Sequence, residues 1–310
     1  MIDFRYHLVS LISVFLALAV GVVLGAGPLQ NSLGTALNDQ VTSLRADRNE
    51  IKTRLEQTEA AVNDRDAYIA AAAGAYLPGA LTGRRVVLVV LPEAQGGDID
   101  LVTSQLETAG ATIVGRVSLT TVWADSSRET FRSTYSGQFA GYLSAPASND
   151  TNAVLGQGLA TALTTSGQNA TALSDLLTAS NTPLMTIDAA PTGPADCLVV
   201  IGPRTTVVPG TAPSPAPTGG TTPGAWNSAL GGAASVSPTV VLGAADVSTD
   251  LVAQLRTSKT AVTTVDSVGQ AAAAASVPLA LASTIAGTRG AYGFDDGADA
   301  VMPQVPRTNP

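Results

Sequence analysis

The chain has 310 residues, of which 45% are hydrophobic and 13% charged, and it carries a formal net charge of −8. An acidic surface repels phosphate backbones and anionic headgroups, which excludes nucleic acid as a partner. With aromatics at 4% and a lone cysteine, Cys197, the core must rest on small aliphatic side chains without an internal disulfide.

Residues 8–29 read LVSLISVFLALAVGVVLGAGPL, without a single charge. A helix rising about 1.5 Å per residue needs roughly 20 such residues to cross a bilayer core. A cleaved signal peptide is the competing reading, but its apolar part is usually shorter and ends at a small-x-small site. The only candidate here, Gly25-Ala26-Gly27, is followed by Pro28, so an uncleaved transmembrane helix is expected. Arg5 precedes the span and no Lys or Arg follows until Arg45. The positive-inside rule then puts residues 1–7 in the cytoplasm and the bulk outside a cell membrane crossed once. Ala17, Gly21 and Gly25 fall four apart on one face, a small-xxx-small pattern that lets two helices approach closely.

Residues 31–77 are polar with an apolar rhythm. Stepping alternately by four and three gives Leu37, Val41, Leu44, Arg48, Ile51, Leu55, Thr58, Val62, Arg65 and Ile69. That 3.5-residue period is the mark of a coiled-coil stalk over about four heptads. A single amphipathic helix lying on a globular domain is the alternative. The narrowness of the stripe favours self-association, and so a homo-oligomer.

The helix should stop at Pro78-Gly79, and residues 83–302 read as an extracytoplasmic α/β domain. Arg85–Leu91 is an unbroken Val-rich run, as in a strand buried on both faces. A helical pattern through Ile99, Leu101, Val102 and Leu106 and a second strand at 111–119 complete a βαβ unit. Helices at 153–164 and 170–177, strands at 197–201 and 239–243, a helix at 251–256, a strand at 260–265 and a helix at 277–286 continue the alternation. The fold class expected is α/β: a three-layer domain with a mostly parallel sheet, after a transmembrane helix and a stalk. The Pro/Gly/Thr-rich stretch at 203–223 reads as a flexible insertion within this domain, and 303–310 as a disordered tail.

Few residues carry chemistry. A Ser-His-Asp site needs a histidine, and the only one, His7, lies outside the domain. Cys197 sits in an apolar strand, where a thiol is usually a small core residue. Gly96-Gly97-Asp98 follows the first strand but matches no phosphate-binding motif, and Asp98 is expected to cap the next helix. Asp295, Asp296 and Asp299 form the best cation candidate, although their spacing is not that of a calcium loop and a solvated turn is the simpler reading. No constellation supports an enzyme, and no cofactor is called for.

The opening Ile2-Asp-Phe-Arg-Tyr-His-Leu-Val-Ser10, with Val14-Phe-Leu-Ala-Leu18 and Gly21-Val-Val-Leu-Gly25, closely resembles the start of the mycobacterial copper transport protein B family of actinobacteria. The likeness continues through the stalk to Gly83-Arg-Arg-Val-Val and to residues 109–119. It reaches Thr264-Val-Asp266 and Gly287-x-x-Gly-x-Tyr-Gly293. The resemblance implies copper transport or efflux, with copper as the transported ion, in the outer envelope. The residues add an anchored, oligomeric component to that picture. Copper(I) favours Cys, Met and His ligands, and no two of Cys197, Met185, Met302 and His7 lie within motif spacing. The other function open to such a chain is a non-enzymatic coiled-coil scaffold whose head binds an envelope protein or wall partner.

Overall fold

The computed structural model describes residues 4–25, 29–146, 148–179, 182–205, 222 and 224–304. Most of the insertion at 203–223, and the tail from 305 on, lie outside the described residues. Contacts divide the chain into two units, residues 1–65 and 66–310.

The first unit is helical. Helix α1 (Phe4–Gly25) carries the apolar segment, and α2 (Leu29–Tyr76) the heptad pattern, with its residues 66–76 belonging to the second unit. The length of α2 follows from its composition: between residues 35 and 73 it has neither Gly nor Pro, so no helix breaker interrupts it.

The second unit is a three-layer α/β domain. After a turn at 77–83, strand β1 (Arg85–Val90) leads through α3 (Gly96–Thr108) to β2 (Thr112–Leu119). Two short 3₁₀ turns (Thr121–Trp123 and Ser126–Arg128) precede α4 (Glu129–Ala140), α5 (Thr151–Thr164) and α6 (Gln168–Thr178). Strands β3 (Met185–Ala189) and β4 (Cys197–Ile201) follow, then α7 (Ala225–Ala234), β5 (Thr239–Leu242), α8 (Leu251–Thr257), β6 (Thr263–Val265), α9 (Ala271–Ile285) and β7 (Ala291–Tyr292). The strands form one open sheet in the order β3-β2-β1-β4-β5-β6-β7, parallel except for the antiparallel edge strand β3.

Alternation along each strand feeds two cores. Val87, Val89, Leu198, Val200 and Val241 pack under α4, α5, α6 and α7, with Trp123, Phe139 and Leu155. Val86, Leu88, Cys197, Val199, Ile201 and Val240 face the other way, against α3, α9 and the end of α2. Every residue of β4, β5 and β6 is buried, as a parallel sheet covered on both faces requires.

The departures from expectation have local causes. Strand β3 has mostly exposed residues and sits at the edge, where Asp188 pairs with Arg116 and Ser118, so it lacks the apolar run of a central strand. Helix α9 begins at Ala271 rather than 277 because an all-Ala turn buried on nearly every side shows no amphipathic rhythm. Asp98 does not cap α3. Gln95 stands at the cap position, and Asp98, one turn inside, is pulled into an ion pair instead.

Candidate functional site

Helix α1 is long and apolar enough, by length and composition, to cross a membrane over Phe4–Val23. Its side chains are exposed throughout the described positions. Ala17, Gly21 and Gly25 fall four apart along α1, and a Cβ added at either glycine would meet nothing within 4 Å.

The stalk positions separate into two groups. Leu37, Val41, Leu44, Ile51, Leu55 and Val62 are exposed along α2, an apolar stripe interrupted by Arg48 and Thr58 and left uncovered by the described residues. Ion pairs Glu50–Arg54 and Lys52–Glu56 flank it at i,i+4 spacing. Ile69, the last seam position, packs instead against the head core with Ala73 and Tyr76. The stripe available to a partner therefore ends near Val62.

Within the head, the parallel order reverses between β1 and β4, which is where doubly wound sheets open a ligand crevice. Here the spot is filled. Arg204, just past β4, grips Asp98 with two hydrogen bonds, Nε to Oδ2 at 3.0 Å and Nη2 to Oδ1 at 2.7 Å. Asp98 is buried, and its negative charge occupies the first turn of α3, where an anionic ligand would otherwise be favoured.

A second polar centre lies at the end of β6. The buried Asp266 carboxylate accepts from Arg256 Nη1 (2.9 Å), Ser267 Oγ (2.7 Å) and the backbone N–H groups of Phe294 (2.8 Å) and Asp295 (3.1 Å). Burial opposes its charge, but those donors outweigh burial and hold the carboxyl below the ordinary carboxylate range. Arg256 also donates to the carbonyls of Tyr292 and Asp296, so the pair ties the 292–296 turn to β6 and α8. Gly293 permits this. Its φ is +134°, and a Cβ there would overlap the Asp266 carboxylate.

The three candidate cation ligands are spread around this centre with separate local tasks. Asp299 accepts from the Ala291 N–H (2.8 Å), Asp296 offers its carbonyl to Arg256, and Asp295 lies 3.4 Å from Ser267 Oγ. Burial, and then the nearby Asp266 and Asp246, push the Asp295 carboxyl above its usual range. Among the described residues, no group of three or more His, Cys, Asp or Glu side chains is gathered as a metal site would need. The soft ligands are equally dispersed. Cys197 and Met185 are buried in the cores on opposite faces of the sheet, while Met302 is exposed beside the Asp266 turn. Burial pushes the Cys197 thiol up to about 12, so it stays protonated. Sequence reasoning missed Arg256 and Arg204 and gave Asp266 no site role, although Thr264-Val-Asp266 and Gly293 both carry the family likeness and Asp266 stands at the carboxyl end of a parallel strand.

These features define a class: an α/β protein with a doubly wound sheet, preceded by a long helix and by a helix apolar enough for a membrane. The particular family follows from comparison. Residues 1–303 match the family described as "Copper transport outer membrane protein, MctB", and the chain belongs to it. It is similar to proteins named "Copper transporter MctB" from Mycobacterium bovis and Mycobacterium tuberculosis, 32% identical over 134 residues in each case. That alignment covers 43% of this chain and 43% of each relative. The Mycobacterium leprae protein of the same name is 34% identical over 134 residues, covering 43% of this chain and 42% of its own. The chain thus spans less than half the length of the curated relatives it matches.

Proposed function

We propose that this protein is a copper-handling component of the cell envelope, held to a membrane by α1 and self-associating through α2. The observation that carries the reading is the family match, which runs over residues 1–303 and so takes in both helices as well as the head. The charge asymmetry about α1 supports a single pass with residues 1–7 in the cytoplasm and the head outside. The family description places its members in the outer envelope.

In this reading the head is a non-enzymatic binding module. One helix encloses no pore, so any passage for copper requires several copies or a partner protein. The exposed stripe from Leu37 to Val62 supports several copies, because six apolar side chains at 3.5-residue spacing gain burial only in a helical partner. The same stripe supports the scaffold reading, in which the assembled heads present a surface to an envelope partner and copper is not bound by the chain itself. The two readings part on one experiment. A strain lacking the gene, grown across a copper series, is more sensitive than its parent if the protein handles copper, and the intact gene restores tolerance. Unchanged tolerance leaves the scaffold.

A further inference from the structure

Strand β3 stands at one edge of the sheet, with β2 on its inner side and no described residue paired to its outer side. The ladder sets Leu119 opposite Met185, Ser118 opposite Thr186 and Val117 opposite Ile187. Just beyond it, the Thr120 N–H donates to the Leu184 carbonyl at 3.1 Å. Hydrogen-bonded and open pairs alternate along an antiparallel ladder. Thr186 therefore bonds inward to β2, while Met185 and Ile187 turn their N–H and C=O groups to the outer edge. None of those four groups has a partner among the described residues.

The same two residues line an open cavity of about 360 Å³ between β3 and α6. Val117 joins them from the sheet, and Ala170, Thr171 and Asp175 line it from α6. Cross-strand partners share a face, so Ile187 lies on the core face with Val117 and Met185. Those two are buried, yet Ile187 is 47% exposed. The core face is left unfinished at this edge. Asp175 is the only charged residue lining the cavity, and it forms no ion pair with the described residues. It stands in the last turn of α6, where the helix adds its own negative pole.

We infer that this edge takes up an extended peptide as an eighth strand, with an apolar side chain over Ile187 and a basic one at Asp175. The occupant is extended because the outward backbone groups recur every second residue, a spacing that a strand matches. Both of its anchoring side chains enter the same cavity, so they stand two residues apart. It is basic because the cavity offers a carboxylate and a helix carbonyl end with no cation beside them. A second copy of β3 fits worse, since its Met-Thr-Ile-Asp-Ala brings another carboxylate and no basic residue to an acidic edge. The site rests on the head alone and holds whether or not the protein handles copper.

Isothermal titration calorimetry of the full chain in detergent tests it with the peptide acetyl-Thr-Lys-Thr-Val-Thr-Lys-Thr-amide. Its Val and both Lys share one face of a strand, whichever way the peptide runs. The peptide is expected to bind below millimolar concentration. N-methylation of one alternate set of its amides is expected to weaken it at least about tenfold, and methylation of the other set to leave it within about twofold, because a strand offers alternate amides to its neighbour. All three peptides carry the same charge, so general attraction to an acidic protein does not separate them. Thr171→Trp, at an exposed position of α6, fills the cavity and is expected to weaken the parent peptide at least about tenfold while the thermal midpoint holds. Asp175→Asn is expected to weaken it about two- to fivefold, and less in high salt. No binding at millimolar peptide, equal effects of the two methylations, or unchanged affinity in either variant would each overturn the assignment. So would a disulfide between copies through Ile187→Cys in a Cys197→Ala background, which gives the edge to a second copy.

Discussion

Gly156 of α5 and Gly232 of α7 stand at reciprocal points of one helix crossing: a Cβ on Gly156 would overlap the Ala229 carbonyl, and one on Gly232 the Ala153 carbonyl. The two helices approach backbone to backbone, and that contact lets Leu155 and Leu230 share one core with Leu198 and Val200 of the sheet.

Gly156→Ala is therefore expected to force the helices apart and destabilise the head by about 1–3 kcal/mol. Urea unfolding followed by tryptophan fluorescence suits the measurement, because Trp123 and Trp226 stack in the same layer with ring centroids 6.1 Å apart. Gly137→Ala in α4, where an added Cβ meets nothing, is the control and should be neutral or stabilising by up to about 1 kcal/mol.

Removing one partner of the buried Arg256–Asp266 pair leaves the other charge uncompensated. Arg256→Met is expected to cost about 3–5 kcal/mol and to loosen the 292–296 turn, read as faster amide exchange there. The pH dependence follows from the direction of the shift. Asp266 titrates lower folded than unfolded, so its contribution is fully present above the unfolded value of about 4 and is lost as pH falls through the folded one. Asp295 has the opposite sign. Its carboxyl is raised, so protonating it favours the fold, and Asp295→Asn should raise stability at neutral pH while leaving it unchanged in acid. Melting curves across pH 3–8 (roughly the span of ordinary carboxylate and neutral values) separate the two.

Cys197 should be inert in the folded chain. Its thiol is buried, protonated and hydrogen-bonded to the Arg85 carbonyl at 3.7 Å. Iodoacetamide is expected to label it only after denaturation, detected by mass, and labelling of the native protein would show that β4 opens.

The stalk predicts contacts between copies. With Cys197→Ala as background, Leu44→Cys in the seam should form a disulfide-linked dimer in membranes under mild oxidant, while Asp47→Cys off the seam should not. Equal crosslinking at both positions would point to random collision.

Much of the fold was legible because the central strands are Val-rich runs buried on both faces, and β1, β4 and β5 appear within a residue or so of where that pattern puts them. The elements that escaped notice are those with other compositions. Helix α4 is mostly polar and aromatic, α7 mostly Ala and Gly, and β3 a half-polar edge. The polar centres were illegible for a different reason. Asp98 meets Arg204 across 106 positions, and Arg132 meets Thr222 across 90, so no local spacing could announce either. The helix of α2 was legible in its sequence, but Ile69 obeys the same apolar rhythm as Leu37 to Val62 and packs against the head instead, so the rhythm alone does not say what each position meets.

The most direct test of a copper-handling assembly built on α1 and α2 is the copper content of cells lacking the gene, carrying either the intact chain or the Leu44→Asp/Leu55→Asp double variant, after growth in added copper. The intact chain is expected to return cell copper to the parental level, and the double variant, present in membranes at equal amount, to leave it at that of the deletion strain. Cell copper that is the same with the gene, without it and with the double variant would contradict the proposal.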